Sequence, residues 1–260
     1  MPWLGLASLL LLAQADATPK ALVYSDAVEN SGKPISLPFH CGEEEIQSAG
    51  LDCSKDRPCP AFLELNGVDA AGDKLFLAGD FHTEKATLFS VVLESFDRGA
   101  TWREPYERIR TATLDQVQFV DLAHGWVSGW NGNEVPRDPF FLATEDGGKT
   151  WIKRPIFDDQ RAATIDRFRF DSATTGALLV TSGAEMRHQL YETMTGGGEW
   201  SLRHESDSPI LFPGDRGASA GRSLRLRPDA KANAYAVEKA TGDTWTALAR
   251  FRVAAGQCEE

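Results

Sequence analysis

The chain has 260 residues, a formal net charge of −11 and hydrophobic residues at 42% of its positions. This length is ample for one packed domain, and all-β folds of this size are commonly a single domain. An acidic chain without a basic run is a poor binder of nucleic acid and a poor match for anionic membrane surfaces.

Residues 1–17 are typical of a secretory signal peptide, although no lysine or arginine precedes the apolar run. The apolar run at residues 4–13 is too short to span a bilayer comfortably, and Ala-Asp-Ala at residues 15–17 is a small-x-small cleavage site. No cysteine follows the site, which argues against a lipoprotein anchor. We therefore expect an exported protein, periplasmic or extracellular, that does not span the membrane.

Residues 18–60 precede the repeats described below and contain three of the four cysteines. Residues 22–24 and 35–39 are candidate strands, whereas residues 41–59 are polar and rich in turn residues. We expect residues 41–59 to form a disulfide-pinned loop in which the acidic run at 43–45 is solvated. The whole segment could supply an extra irregular unit or a strand that closes the fold.

Four tryptophans organise the rest of the chain, at spacings of 49, 49 and 45 residues. Each ends an octapeptide related to Ser/Thr-x-Asp-x-Gly-x-Thr-Trp. The first two copies match at Ser95, Asp97, Gly99 and Trp102, and at Thr144, Asp146, Gly148 and Trp151. The third has Thr193 and Trp200, with its glycine assigned to Gly198 beside Gly197, and the fourth keeps Gly242, Thr244 and Trp245. A fixed period of this kind indicates a repeat architecture.

The octapeptide has the chemistry of a hairpin turn. A short aspartate side chain accepts hydrogen bonds from nearby backbone N–H groups, and glycine permits a positive φ. The threonine and tryptophan that follow favour a strand, and the indole is large enough to be buried against a neighbouring unit. These residues are therefore interpreted as structural, not as catalytic acids or as a cofactor site.

The motif resembles the Asp-box, or BNR repeat, which joins the last two strands of a blade in known β-propellers. The resemblance implies an all-β propeller over residues 61–258, with blades at about 61–106, 112–157, 162–206 and 208–253. Helical periodicity is absent, so no helix is expected. Four repeats and the N-terminal segment predict four to five blades.

A second pattern lies upstream of the second and third copies. Phe119 and Phe170 each begin a turn that contains an aspartate, and each is followed six residues later by a glycine. Together with the Asp-box, this pattern is similar to the photosystem II assembly and stability factor group of propellers. That resemblance implies a scaffold that takes part in assembling a protein complex.

The cysteines are Cys41, Cys53, Cys59 and Cys258, an even number that favours disulfides in an exported chain. Their spacing is not that of a zinc site. Three connectivities are possible. Because a ring fold brings the two chain ends together, a bridge from Cys258 to an N-terminal cysteine is favoured, with the other two paired locally.

Candidate binding residues are few. Trp126, Trp130 and Arg137 fall near the end of a strand and the loop after it, where binding residues often lie. Burial between blades is the simpler interpretation of Trp126, while Trp130 is as well suited to binding as to the core. No histidine pair has metal-ligand spacing, so no metal or cofactor is expected.

Sialidases, which also carry Asp-boxes, are the enzyme alternative. They need an arginine cluster for the substrate carboxylate and a Tyr–Glu nucleophile pair. The expected arginine motif is missing, and Tyr191-Glu192 lies beside a box turn. The sequence thus favours a non-catalytic propeller with an unknown protein or glycan ligand, acting as a protein-binding or assembly scaffold. The alternative is a sialidase-like glycoside hydrolase or a carbohydrate-binding propeller.

Overall fold

The computed structural model describes residues 26–132, 135–183, 186–213 and 223–259. The predicted signal peptide and the candidate strand at residues 22–24 lie outside them. Seventeen strands are present among the described residues: β1 (Val28–Glu29), β2 (Cys59–Ala71), β3 (Lys74–His82), β4 (Thr87–Ser95), β5 (Thr101–Trp102), β6 (Ala112–Phe119), β7 (Gly125–Asn131), β8 (Arg137–Thr144), β9 (Ile152–Pro155), β10 (Ala163–Phe170), β11 (Gly176–Ser182), β12 (Arg187–Thr193), β13 (Ser201–Ser206), β14 (Leu224–Asp229), β15 (Ala234–Thr241), β16 (Thr244–Arg252) and β17 (Ala254–Cys258).

The strands form an all-β architecture of antiparallel sheets. Sheet I has the order β17-β2-β3-β4, sheet II β6-β7-β8-β9, sheet III β10-β11-β12-β13 and sheet IV β14-β15-β16, while β1 pairs with β5. An isolated bridge between Glu94 and Arg103 continues sheet I from β4 toward β5. Several four-stranded antiparallel sheets of this kind are compatible with a β-propeller.

Hydrogen bonds tie the first strands of neighbouring sheets together. Asp69 of β2 accepts a hydrogen bond from the backbone N–H of Phe119 in β6 (2.7 Å). At the equivalent position, the Gln118 side chain accepts from the N–H of Phe170 in β10 and donates to its carbonyl, both at 2.8 Å. Strand β14 lies beside β2. Residues of β2, β6, β10 and β14 line one cavity of about 560 Å³.

The repeated phenylalanine–glycine spacing has a steric cause. Phe119 pairs across its hairpin with Gly125, and Phe170 pairs with Gly176. A Cβ on Gly125 would lie 2.5 Å from the Phe119 ring, and one on Gly176 would lie 2.7 Å from the Phe170 ring. Only glycine leaves space for the ring. The Phe170 ring in turn stacks on Trp126 at a centroid distance of 3.7 Å.

The N-terminal segment runs along the outer edges of sheets I and IV. Strand β1 pairs with β5, and Ile35 forms a parallel bridge with Phe251 of β16. Between them, the Asn30 side chain donates to the carbonyls of Gly99 (2.9 Å) and Leu248 (2.8 Å). The strand expected at residues 35–39 is reduced to the single bridge at Ile35.

One short helix corrects the expectation that the chain has none. Helix α1 (Glu43–Ser48) lies inside the predicted loop at residues 41–59. The Glu45 carboxylate accepts from the backbone N–H of Gly42 (3.0 Å), which closes the first turn. Glu44 and Glu45 also pair with Arg110 at 3.0 and 3.1 Å. The acidic run at 43–45 is therefore partly involved in a helix cap and in ion pairs and is not simply solvated.

The two chain ends are joined by both a strand pair and a disulfide. Strand β17 pairs with the first residues of β2, so the C-terminal end of the chain completes sheet I. Cys41 is bonded to Cys258 across a sequence separation of 217, and Cys53 is bonded to Cys59 across a separation of 6. The sequence favoured a bridge from Cys258 to an N-terminal cysteine without specifying which, and the structure assigns it to Cys41.

Candidate functional site

The first three octapeptides form one kind of turn. The hydroxyl of the first residue accepts a hydrogen bond from the N–H four residues on: Gly99 to Ser95 (2.7 Å), Gly148 to Thr144 (2.9 Å) and Gly197 to Thr193 (3.1 Å). The third residue accepts from the seventh: Thr101 to Asp97 (2.8 Å), Thr150 to Asp146 (2.9 Å) and Glu199 to Thr195 (2.8 Å). These side chains are occupied in shaping the turns.

The glycine of the third turn is Gly197 and not Gly198. Gly197 has a φ of +87°, close to the +92° of Gly99 and the +90° of Gly148. Gly198 is absent from the residues of positive φ in the described chain. The assignment from sequence was therefore displaced by one residue, because three consecutive glycines fit the pattern in more than one register.

The fourth octapeptide has a different structure. Strands β15 and β16 pair up to Thr241 and Thr244, so only Gly242 and Asp243 form the loop. Glu238 stands where the other copies have a hydroxyl, and its carboxylate pairs with Arg225 and Arg227. Trp245 is 36% exposed, whereas Trp102 is fully buried. Gly242 and Trp245 thus belong to a tight hairpin and not to an Asp-box turn.

The three candidate binding residues lie on the neighbouring strands β7 and β8 but differ in burial. Trp126 is 2% exposed and its Nε1 donates to the Gly196 carbonyl (3.0 Å), so it is part of the packing between sheets II and III. Arg137 begins β8 and is exposed. Trp130, near the end of β7, is half-buried and lines a second cavity of about 440 Å³. Trp130 therefore indicates the candidate site.

This second cavity lies between sheets I and II, and we call it the acidic cavity. It is lined by Glu64 and Asn66 of β2, Asp80 and His82 of β3, Thr83, Lys85, Ala86 and Thr87, Thr113 and Asp115 of β6, and Trp130 of β7. Rigid strands hold most of these side chains, which is the arrangement that binding sites require.

Two β-bulges direct polar groups into the acidic cavity. The register of β2 against β3 shifts at Asn66, and the register of β6 against β7 shifts at Asp115 and Gln116. Bulges of this kind re-aim side chains next to functional sites. The Asn66 amide donates to Asp80 (3.3 Å) and to the Leu114 carbonyl (2.9 Å), so it links the two sheets at the cavity wall.

Burial raises the pKa of two acids that line this cavity, Asp80 and Asp115. Asp80 is 3% exposed, and burial raises its pKa to about 7, with the charge on Glu64 acting in the same direction and the Asn66 amide opposing it. Burial also raises the pKa of Asp115. Asp80 therefore changes its charge near neutral pH.

Sequence reasoning missed Glu64, Asp80 and Asp115. One signal was present, since every residue of β3 between its two ends is buried and Asp80 is the acid within that apolar run. A buried acid in such a strand is costly unless it is paired or functional. The partners of Asp80 across the cavity are distant in sequence, and nothing local indicates them.

The residues considered for a sialidase do not assemble. Tyr191 and Glu192 are adjacent on β12, and adjacent side chains of a strand point to opposite faces. The Tyr191 hydroxyl contacts Gln189 (3.2 Å), and the Glu192 carboxylate accepts from Arg203 (2.8 Å). The Tyr–Glu pair of a sialidase is therefore not formed here.

The arginines that line the first cavity, the one of about 560 Å³ between β2, β6, β10 and β14, already interact with side chains of this chain. Arg169 pairs with Asp171 (2.9 Å), and Arg225 pairs with Glu238 (2.7 Å). The Arg167 guanidinium lies 5.2 Å from the centre of the Phe212 ring. These guanidinium groups already have partners, so the first cavity is a weaker candidate for ligand binding than the acidic cavity.

The sequence matches no protein-family model, and a comparison with curated proteins finds no match. Across residues 26–259, apart from the undescribed gaps, no helix is long and apolar enough to cross a membrane. Within the same residues, no three His, Cys, Asp or Glu side chains are grouped so that they could hold a metal ion.

Proposed function

We propose that the chain is an exported, non-catalytic β-propeller that binds a partner protein. In this proposal sheets I to IV are four blades, and the strands β2, β6, β10 and β14 surround the central channel. The equivalent hydrogen bonds that the backbone N–H groups of Phe119 and Phe170 donate to Asp69 and Gln118 support it, because they repeat the same contact between successive sheets.

The acidic cavity is the observation that carries the binding function. It is a recess of about 440 Å³, within the range of roughly 300–1,000 Å³ typical of ligand sites. Its walls come from strands of two sheets, and half-buried Trp130 supplies an aromatic surface of the kind enriched where proteins bind partners. A rigid frame with a recessed polar and aromatic site is suited to binding.

Export and complex assembly complete the proposal. Two disulfides are consistent with an exported protein, since such bonds persist in oxidising compartments. The likeness of the Asp-box and Phe–Gly patterns to photosystem II assembly factors favours a scaffold in the assembly of a protein complex.

Site-specific photo-crosslinking tests the binding function. Benzoylphenylalanine placed at Lys85, on the rim of the acidic cavity, should cross-link one predominant protein when the full chain is expressed in its own cells. The same group at Leu202, which is 49% exposed on the outer strand β13, is the matched control. Equal adducts at the two positions, or none at Lys85, would contradict a partner site at this cavity.

One observation favours a second candidate, a glycoside hydrolase. A buried acid with a pKa of about 7 can act as a general acid, and Asp80 lies in one cavity with Asp115 and with Trp130. A panel of fluorogenic glycosides tests this candidate. The non-catalytic proposal would be wrong if the native protein hydrolyses a glycoside and Asp115→Asn loses this activity while its melting temperature is unchanged.

A further inference from the structure

Among the residues that the structure describes, the buried carboxylates fall into two classes. Glu94, Glu104 and Glu238 are each at most 5% exposed, and each pairs with arginine: Arg103 (2.6 Å), Arg108 (2.7 Å), and Arg225 and Arg227 (2.7 and 2.9 Å). Asp80 is equally buried, yet its side-chain partner is the neutral amide of Asn66. No lysine or arginine in the described chain lies within salt-bridge distance of Asp80.

The surroundings of Asp80 add negative charge and little positive charge. Glu64 and Asp115 line the same cavity, from β2 and β6. His82 lies 3.8 Å from Glu64, and Lys85 is exposed on the loop that follows β3. A cavity with three carboxylates and one lysine attracts a cation, because charged groups in a recess focus the field.

Trp130 favours an organic cation over a small inorganic one. Its indole is half-buried at the cavity wall. A guanidinium or ammonium group over an indole face gains cation–π attraction while its charge meets the carboxylates. The same combination already occurs in sheet IV, where Arg225 lies 4.1 Å from the Trp245 ring centre and pairs with Glu238.

We propose that the acidic cavity receives an arginine or lysine side chain from the partner protein, which pairs with Asp80 and lies against Trp130. The inference rests on the proposed binding function and adds the chemistry of the bound residue. The partner would supply to Asp80 the positive charge that arginines of this chain supply to the other three buried carboxylates.

The inference predicts that binding depends on pH with a definite sign. A cation pairs with ionised Asp80, whose pKa is about 7 in the free protein. Binding is therefore strong above this value and requires loss of a proton below it, so affinity should fall by roughly tenfold from pH 8 to pH 6. The titratable groups that face Asp80 are Glu64 on β2, His82 on β3, Lys85 on the loop, Asp115 on β6 and Tyr235 on β15.

Titration calorimetry with short peptides tests the inference on the intact chain. The probe is acetyl-Gly-Arg-Gly-amide, and its citrulline analogue has nearly the same shape without the charge. The arginine peptide should bind at least about tenfold more tightly than the citrulline peptide, since charge-assisted hydrogen bonds are about twice as strong as neutral ones. A lysine peptide should bind with the same pH dependence.

Two variants assign the effect to the cavity. Asp80→Asn keeps the side-chain shape and should reduce the affinity for the arginine peptide about tenfold or more and remove its dependence on pH between 6 and 8. The control is Asp73→Asn. Asp73 is an exposed residue in the turn between β2 and β3 and pairs with Arg98, and this variant should change neither the affinity for the arginine peptide nor its pH dependence. His82→Gln should keep the pH dependence, which separates Asp80 from the nearby histidine. Melting curves establish that each variant is folded.

Several outcomes would overturn the inference. These are equal binding of the citrulline peptide, unchanged binding to folded Asp80→Asn, displacement of the peptide by Ca²⁺, and tighter binding of a neutral oligosaccharide that is lost in Trp130→Ala. If the Lys85 cross-link to a partner persists in Asp80→Asn, the proposed function stands and the basic side chain is excluded. If the cross-link from position 85 is also missing when Asp80 is unchanged, the proposed function itself fails.

Discussion

Sheets I, II and III end differently from sheet IV. In the first three, an eight-residue turn bonds to itself through side chains, as at Ser95 and Asp97, and its tryptophan is buried at Trp102 and Trp151 and partly buried at Trp200. Sheet IV ends in a two-residue hairpin with Trp245 partly exposed, and its outer edge is covered by the N-terminal segment through Ile35. Sheets II and III therefore end in their own turns alone, sheet I combines such a turn with pairing to both ends of the chain, and sheet IV lacks the turn and is covered by the N-terminal segment.

Removing the Cys41–Cys258 bridge should give the largest effect. With Cys41→Ser and Cys258→Ser, the chain loses a bond across 217 residues, which the chain-entropy model values at roughly 5 kcal/mol. Cys53→Ser with Cys59→Ser is the control, because a separation of 6 corresponds to about 2 kcal/mol. Urea unfolding at low temperature measures both. Equal losses would show that closure of the chain ends does not depend on the long bridge.

The two kinds of tryptophan give the next test. Trp102→Ala should cost about 3–5 kcal/mol, because the ring is fully buried and packs edge-on against Phe251 at 5.2 Å. Trp245→Ala should cost about 1 kcal/mol or less, since it removes a partly exposed ring and its contact with Arg225. The measurement is the free energy of unfolding in denaturant. Similar losses would mean that the fourth tryptophan is as structural as the first.

The difference between the tryptophans explains what the sequence could and could not predict. The period of Trp102, Trp151 and Trp200 fixes the phase of sheets I to III, because a self-bonded turn is a local property of eight residues. The fourth match rested on Gly242, Thr244 and Trp245 and lacked a hydroxyl at its first position. Without that hydroxyl, the eight-residue turn lacks the acceptor for the glycine N–H, and a two-residue hairpin forms in its place.

The helix and the acidic cavity were missed for different reasons. Helix α1 has only six residues, too few to show a helical period, and it is stabilised by the Glu45 cap. The cavity combines Asp80 and Asp115 from two sheets, and their approach depends on the register shifts at the bulges. Such a site is a product of tertiary packing and has no local motif.

The aspartate of the turn should contribute less than the tryptophan. Asp97→Ala removes acceptors for the Thr101 N–H (2.8 Å) and hydroxyl (2.6 Å), worth about 1 kcal/mol each. Asp243→Ala, in the fourth copy, should change the free energy of unfolding by less than about 0.5 kcal/mol, as is usual at the surface. A loss at Asp243 equal to that at Asp97 would make the two turns energetically alike.

The Asp97 contribution should also depend on pH. The bonds from the Thr101 side chain and backbone hold the pKa of Asp97 below its ordinary value. A lowered pKa stabilises the folded state above the unfolded value of roughly 4, and this stabilisation is lost as the pH falls through the folded value. The difference between the native protein and Asp97→Ala should therefore shrink in acid. A difference that stays constant down to pH 2 would show that the carboxylate charge is not what holds the turn.

Restoring the full Asp-box sequence in the third turn should give the smallest effect, a gain in stability. In the second copy Asp146 accepts from both the backbone and the hydroxyl of Thr150, at 2.9 and 2.7 Å, whereas Thr195 accepts from the Glu199 N–H and has no hydroxyl group at position 199 to bond. Thr195→Asp with Glu199→Thr restores the missing side-chain bond and should raise the free energy of unfolding by about 1 kcal/mol. The reverse exchange in the first copy, Asp97→Thr with Thr101→Glu, should lower it by a similar amount. A gain in one turn without a loss in the other would mean that the motif's hydrogen bonds are not interchangeable between sheets, and that each turn is stabilised chiefly by its surroundings.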